Sequence, residues 1–484
     1  MNTNTVFVDD PIVPMNDDPW IFRELGQAKF GDARLTRRAM IIAQDIMDHP
    51  DLSMASIYKG NWGDLRAGYR FFDNVAVTPA AILAPHRAAT YERSGAEPLV
   101  LIAQDTCYFN FSSHKALKGA GPIESLNDKG ILVHTALAMT PQGVPIGVAA
   151  QKIWTRDAAE FRKGRKRKKR AFAEKESARW LEIAQEAASG VPDGTRAVII
   201  GDRESDIYDV FAQSEKAPYD LLIRSAQDRR VEHSSTATHL REAVESSPVL
   251  GTVVIDVPRK EGHPIRQATL TLQATTVRLQ IPKGREKEGL GTPTVQVIMA
   301  KETDPPADTE PIVWVLCTTL PVTDFDDAVR LVQWYTYRWR IERFHFVLKT
   351  GGSNVEKLQL ETFDRLARAL TLHSVVAWRI LWMTYQVRQD PDQPCSGVFT
   401  PEEEAALRLM QDRQRPRKGP RSKPMDPDRR LTLREAIHVM AKLGGFLGRK
   451  SDGEPGVKTL WRGYRALQLI VLGMQLTPSN RLGP

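Results

Sequence analysis

The chain has 484 residues, 42% hydrophobic and 26% charged, enough for a large core and about three domains at roughly 150 residues each. Lys and Arg exceed Asp and Glu by 67 − 59 = 8, and eight basic residues fall between Arg162 and Arg170, so the remainder is balanced and the basicity is local. Three scattered cysteines (Cys107, Cys317, Cys395) without a CxxC exclude a disulfide framework and a zinc knuckle and fit a reducing compartment. No stretch approaches the ~20 apolar residues of a membrane span. The acidic start (Asp9, Asp10, Asp17, Asp18, with no basic residue before Arg23) is the opposite of a signal peptide, so a cytoplasmic protein is expected.

Residues up to about 78 read as helices. Leu35 to Met47 carries apolar residues at helical spacing behind Arg34, Arg37 and Arg38, and Gly63 to Asn74 sets Arg66 and Arg70 beside Tyr69, Phe71 and Phe72. Basic residues interleaved with aromatics suit a small nucleic-acid reader, or a solvated face over an aromatic core.

The middle predicts a mixed sheet flanked by helices. Pro98 to Asp105, Ala197 to Asp202 and Asp220 to Ser225 read as buried strands, with a hairpin (Ile131 to Met139, Val144 to Ile153) turning at Pro141-Gln142-Gly143. Helices are expected over Ala173 to Ala188 and from about Ile207. Asp105 and Asp202 would each end a strand, where ligands collect in such sheets. From about 228 to 320 the pattern turns all-β, with strands at Thr252 to Val257, Ala268 to Leu279, Val295 to Ala300 and Ile312 to Thr318. One helix is expected from Phe325 through Lys349. Arg413 to Lys423, with six basic residues and nearby prolines, reads as a mobile loop, and Leu431 to Leu443 and Val457 to Leu476 as closing helices.

Chemistry concentrates in Tyr335-Thr-Tyr-Arg338-Trp-Arg-Ile-Glu342-Arg-Phe-His-Phe-Val-Leu-Lys349. At roughly 100° per residue, Tyr335, Arg338, Glu342 and Lys349 share about a sixth of the helix circumference. Such a stripe is costly to bury unless it faces something polar; a solvated face with Arg338–Glu342 pairing is the alternative. Two strand-end aspartates and a helical glutamate make a hard-oxygen site suited to Mg²⁺ or Mn²⁺. Two such ions can activate an oxygen and stabilise the leaving oxygen in phosphoryl transfer, with Arg338 and Lys349 neutralising phosphates.

On these residues the chain resembles the RNase H-like DDE transposases with the YREK signature, the insertion-sequence-four group, and within it the transposon-five branch. Tyr335, Arg338, Glu342 and Lys349 meet the signature spacing, and Ile102-Ala-Gln-Asp105-Thr and Gly201-Asp202-Arg-Glu-Ser-Asp206-Ile match its aspartates. Further likeness lies in Ala67 to Phe72, Glu174 to Ser177 before Trp180, Ala441 to Phe446 and Leu460-Trp461.

The resemblance implies an α/β fold: an RNase H-like mixed sheet flanked by helices, with an all-β insertion and helical terminal domains. It divides the chain into an end-binding domain (1–78), a catalytic domain (79–389) with the insertion at about 228–320, and a dimerisation domain (390–484). It makes Asp105, Asp202 and Glu342 the catalytic, metal-binding triad with two Mg²⁺ ions (Mn²⁺ as substitute). Tyr335, Arg338, Lys349 and Arg224 would contact DNA, and Trp314 would stack on an extruded base, its alternative being a core aromatic. Ala226 and Phe346 stand where the family carries basic residues. The implied activity is cut-and-paste transposition: nicking of the ends, hairpin formation and resolution, and strand transfer. Implied partners are double-stranded DNA (inverted-repeat ends and target) and a second copy, with no membrane, in a bacterial cytoplasm near the nucleoid. A non-catalytic DNA-binding relative and an RNase H-like nuclease without strand transfer are the rivals. Arg162 to Arg170 reads as a solvated loop or a grip on DNA.

Overall fold

In a computed structural model, residues 19–50, 52–161, 170–234, 236–257, 266–307, 309–414, 429–449 and 452–476 are described. The basic run Arg162 to Arg170, apart from Arg170 itself, and most of the proline-rich loop after Arg413 lie outside them. The chain forms two compact units: Thr90–Ser112 with Gly121–Arg343, and Met1–Ala89 with Ser113–Ala120 and Phe344–Pro484. The N- and C-terminal helices fall in the same one of these units.

That helical unit holds α1 (Pro19–Leu25), α2 (Ala33–Asp48), α3 (Met54–Ile57), α4 (Trp62–Asp73) and most of α5 (Pro79–Ser94). Asp32 caps α2 by accepting from the Arg34 amide, and seven residues of α2's inner face, including Ile42 and Met47, are buried. Its later helices are named below.

The other unit is built on an 11-stranded mixed sheet. In chain order it holds β1 (Leu99–Asn110), β2 (Gly121–Pro122), β3 (Lys129–Met139), β4 (Pro145–Trp154), α6 (Arg179–Ala188), β5 (Arg196–Gly201), α7 (Tyr208–Ser214) and β6 (Tyr219–Arg224). There follow β7 (Val231–Glu232), α8 (Leu240–Glu245), β8 (Val249–Val257), β9 (Arg266–Leu279), β10 (Thr294–Glu302), β11 (Val313–Thr318) and α9 (Phe325–Tyr337). The order runs β2-β3-β1-β5-β6-β11-β10-β9-β7, with β4 beside β3 and β8 beside β9. Gly143 turns the β3–β4 hairpin at φ +82°, a left-handed conformation that favours glycine.

The segment at 228–320 departs from the expected all-β block in two ways. It contains the helix α8, and its strands extend the central sheet, because β11 pairs antiparallel with β6 (Leu316 opposite Arg224). β-branched alternation specifies strands but not which sheet they join.

The remaining helices are α10 (Trp339–Lys349), α11 (Phe363–Gln389), α12 (Pro401–Gln414), α13 (Leu433–Leu443) and α14 (Val457–Leu476). α10 starts in the sheet unit and ends in the helical one. Within the helical unit, buried Trp461 of α14 donates its indole N–H to the Met47 carbonyl at 2.8 Å, tying the last helix to α2.

Candidate active site

Register places the acidic residues. β1 and β5 run parallel with Leu99 opposite Arg196 and Ala103 opposite Ile200. The same offset carried two residues further sets Asp105 opposite Asp202, on strands about 4.8 Å apart. β5 and β6 are likewise parallel, Gly201 opposite Ile223, which sets Asp202 beside Arg224. Side chains alternate across a strand, so the sheet sorts them. Val100, Ile102, Ala197, Ile199, Leu221, Ile223, Val315 and Cys317 share one hydrophobic core. Asp105, Asp202, Arg224 and Trp314 therefore point to the opposite face.

Asp202 follows β5 directly and caps a short 3₁₀ turn by accepting from the Glu204 amide at 2.8 Å. Asp105 does not end its strand: β1 continues to Asn110, paired to β3 through Asp105 opposite Thr135. The parallel ladder to β5 ends at Ala103 opposite Ile200, two residues before Asp105, while the strand itself is carried on by its pairing with β3. Burial, joined by the nearby Asp105 charge, pushes the Asp202 carboxyl above its usual range, against the pull of the Glu204 amide and Arg338.

Tyr335, Arg338 and Glu342 stand near the junction of α9 and α10. The expected single helix is interrupted at Arg338, where the amides of Arg338 and Ile341 bond three residues back (both 3.1 Å) instead of four. Arg338 is only 9% exposed, so it does not lie on a solvated face. It donates to Glu342 Oε1 at 2.7 Å and lies 5.9 Å from the Tyr335 ring centre, while the Glu342 side chain is 52% exposed. Burial opposes the Arg338 charge, but Tyr335, Glu342 and Asp105 together outweigh it and raise its pKa. Its Nε is buried without a hydrogen-bond partner. Arg224 donates to the Val313 carbonyl at 3.2 Å; burial lowers its pKa, against the pull of nearby Tyr335.

Trp314 packs edge-on against Tyr335 and Trp339, at 5.1 and 5.9 Å between ring centres, and is 4% exposed. The base-stacking role that the resemblance implies needs an open ring face. Here both neighbours pack against the indole and leave it buried. Lys349 belongs to the helical unit, where its ammonium stands 3.7 Å from Glu356.

Asp105 and Asp202 suit a hard divalent cation: two close carboxylates, one of them resisting ionisation, are what such a cation relieves. Glu342 is held by Arg338, and among the described residues no group of three or more His, Cys, Asp or Glu side chains is gathered to hold a metal. Two residues that sequence reasoning did not single out border this site. Arg179, on α6, reaches Thr106 and Glu204, and His134 stands beneath β1. The only sequence signal for Arg179 is its place after Glu174 to Ser177. Asp206, a spare acid by sequence, is fully buried and accepts from the Ala226 and Gln227 amides and from Arg229. It therefore fixes the loop after Arg224 and is closed to a metal.

Two segments match known families. Residues 17–77 match a family described as transposase DNA-binding. Residues 375–481 match one described as the transposase Tn5 dimerisation domain, which begins within α11. No helix among the described residues is long and apolar enough to cross a membrane. The two matches indicate a transposase with a DNA-binding segment at 17–77 and a Tn5-type dimerisation segment at 375–481.

Proposed function

We propose that the protein is a cut-and-paste DNA transposase of the YREK group, acting on inverted-repeat ends as a homodimer. The observation that carries this is the in-register pair Asp105 and Asp202 on one sheet face, with Arg338, Tyr335 and Arg224 beside them. The order β4-β3-β1-β5-β6, antiparallel and then parallel, supports an RNase H-like core.

Asp105 and Asp202, joined by Glu342, would hold two Mg²⁺ or Mn²⁺ ions, which when bound activate an attacking oxygen and stabilise the leaving one. The chain's own residues do the rest. Arg338, with a free N–H, and Arg224 neutralise the phosphates around the scissile bond, and Lys349 makes a phosphate contact of its own. A phosphate on Arg338 competes with Glu342 for the guanidinium and frees the glutamate to join the aspartates. Site assembly is thereby coupled to DNA binding. Because the nucleophile is water or a DNA hydroxyl and no covalent enzyme intermediate is needed, one site can serve nicking, hairpin formation and resolution, and strand transfer.

Exposed Leu469, Leu472 and Leu476 on α14, at helical spacing inside the matched dimerisation segment, support a second copy as partner. The test is incubation of the full chain with Mg²⁺ and a duplex carrying its element's inverted repeat. Nicks at the repeat boundary followed by a hairpin on the flank-free end support the reading. Binding without cleavage at any divalent concentration would leave a DNA-binding protein only.

A further inference from the structure

The face of β1 opposite Asp105 carries a polar brace in an otherwise apolar layer. Gln104 and Thr106 flank Asp105 and, by strand alternation, point away from it towards α6. Gln104 is fully buried. With its amide oriented to satisfy both ends, it donates to His134 Nε2 (3.0 Å) and to the Trp180 carbonyl (3.1 Å) and accepts from the Ala184 amide (3.1 Å). It thus enters the backbone ladder of α6. In that arrangement His134 carries its proton on Nδ1 and donates to Thr106 Oγ1 at 2.8 Å.

Arg179 completes the brace. Its side chain is 9% exposed, with the guanidinium 5.7 Å from the Trp154 ring and 5.6 Å from that of Trp180. Nε donates to Thr106 Oγ1 at 3.1 Å, Nη1 to the Glu176 carbonyl at 3.0 Å, and Nη2 to Glu204 Oε2 at 3.1 Å. One planar fork therefore holds the residue after Asp105 and the residue two beyond Asp202. The Thr106 amide itself donates to Asp105 Oδ1, and the Glu204 amide to Asp202 Oδ1. Each end of the fork is one residue's backbone away from a carboxylate.

We propose that Arg179 is a positioning residue, fixing the separation of Asp105 and Asp202 by tying the two backbone turns that orient them. The proposal rests on the reading of those aspartates as the metal-bearing pair. Two like charges on neighbouring strands repel, and the parallel ladder between β1 and β5 ends two residues before them. Without a tie the strand ends can splay where cation binding needs them close. Lysine at this position keeps the charge but has no fork: a single ammonium cannot reach Thr106 and Glu204 in one plane.

The test is Mn²⁺ titration of the full-length protein followed by electron paramagnetic resonance, beside a thermal melt, for wild type, Asp202→Asn, Arg179→Lys and Thr106→Val. Wild type should bind Mn²⁺ and Asp202→Asn should lose that binding. Arg179→Lys and Thr106→Val should each fold, Thr106→Val with a lowered melt because the Arg179 Nε–H and the His134 Nδ1–H lose their acceptor, and each should bind Mn²⁺ at least about tenfold more weakly, the range for a lost partner of a metal ligand. Their nicking should recover at raised Mn²⁺. The double variant should be no worse than the poorer single one, since both cut the same tie.

Wild-type affinity in both single variants, each folded, would overturn the proposal. Should Arg179→Lys fail to fold, Thr106→Val alone decides, and wild-type affinity there overturns it equally. Absence of an Asp202-dependent Mn²⁺ site in the wild type would remove the underlying reading and the proposal with it, a signature unlike that of the brace failing alone.

Discussion

Asp105, Asp202, Arg338 and Glu342 are legible in the sequence because each breaks a pattern: an acid closing an apolar run, or charges in one helical stripe. What the sequence does not carry is depth. A helical wheel puts Arg338 and Glu342 on one side, yet Arg338 is buried and Glu342 half-exposed, because the wheel knows nothing of what the helix packs against. The same holds for Trp314, whose place in a β-branched strand fits either a core or a stacking ring; in this structure Tyr335 and Trp339 pack edge-on against it. Trp314→Ala should therefore cost about 3–5 kcal/mol of stability. It should depress nicking and hairpin formation together, through loss of support for Tyr335. A thermal melt beside the ratio of nicked to hairpin product checks this. Nicks accumulating at an unchanged melting temperature would restore the base-stacking role.

Strands and terminal helices are the elements most readable in advance: Val457 to Leu476 is found as expected, and the three parallel strands lie within a few residues of their expected bounds. The interruption at Arg338 had no such signal, since neither glycine nor proline marks it. It arises from a local shift to i→i−3 bonding where Arg338 turns inward. Arg338→Ala and Lys349→Ala should each lower the slope of log K against log salt for end DNA by up to about one unit, if each neutralises one phosphate. Unchanged slopes in both would confine these cations to intramolecular pairing.

α11 supplies a pH dependence. Burial holds its His373, which bonds Ser353 Oγ at 3.2 Å, neutral and pulls its pKa down to about 4. The unfolded chain binds the proton near pH 6.5, so stability is complete above that value and falls as pH drops towards 4. The loss between pH 7 and pH 5 is about 2 kcal/mol. Urea unfolding at the two pH values should show that loss in the wild type and not in His373→Leu; equal losses would place the acid sensitivity elsewhere.

At the scale of the whole molecule, the boundary of the terminal segments was only partly legible. The resemblance marks residues 390–484 as a helical domain, but nothing local announces that α14 is tied to α2, because the Trp461–Met47 bond spans 414 positions. A chain ending at Gln389 should accordingly lose more than dimerisation. It should form no paired-end complex, and its N-terminal helices should melt earlier, since the buried Trp461 leaves with the truncation. Gel shift and hydrogen exchange over residues 33–73 read the two effects. Paired-end complexes formed by the truncated chain would contradict the placement of the dimer interface.

If Asp105, Asp202 and Glu342 carry out phosphoryl transfer on DNA that other parts of the chain bind, cleavage and end binding should separate by mutation. Cleavage of end-containing duplex in Mg²⁺ by Asp105→Asn, Asp202→Asn and Glu342→Gln, each measured against its own end-binding affinity, tests it most directly. Each variant removes a charge remote from base readout, so end binding should stay within a few-fold of wild type while cleavage disappears. Appreciable cleavage by any one of the three, with metal supplied, would contradict the account.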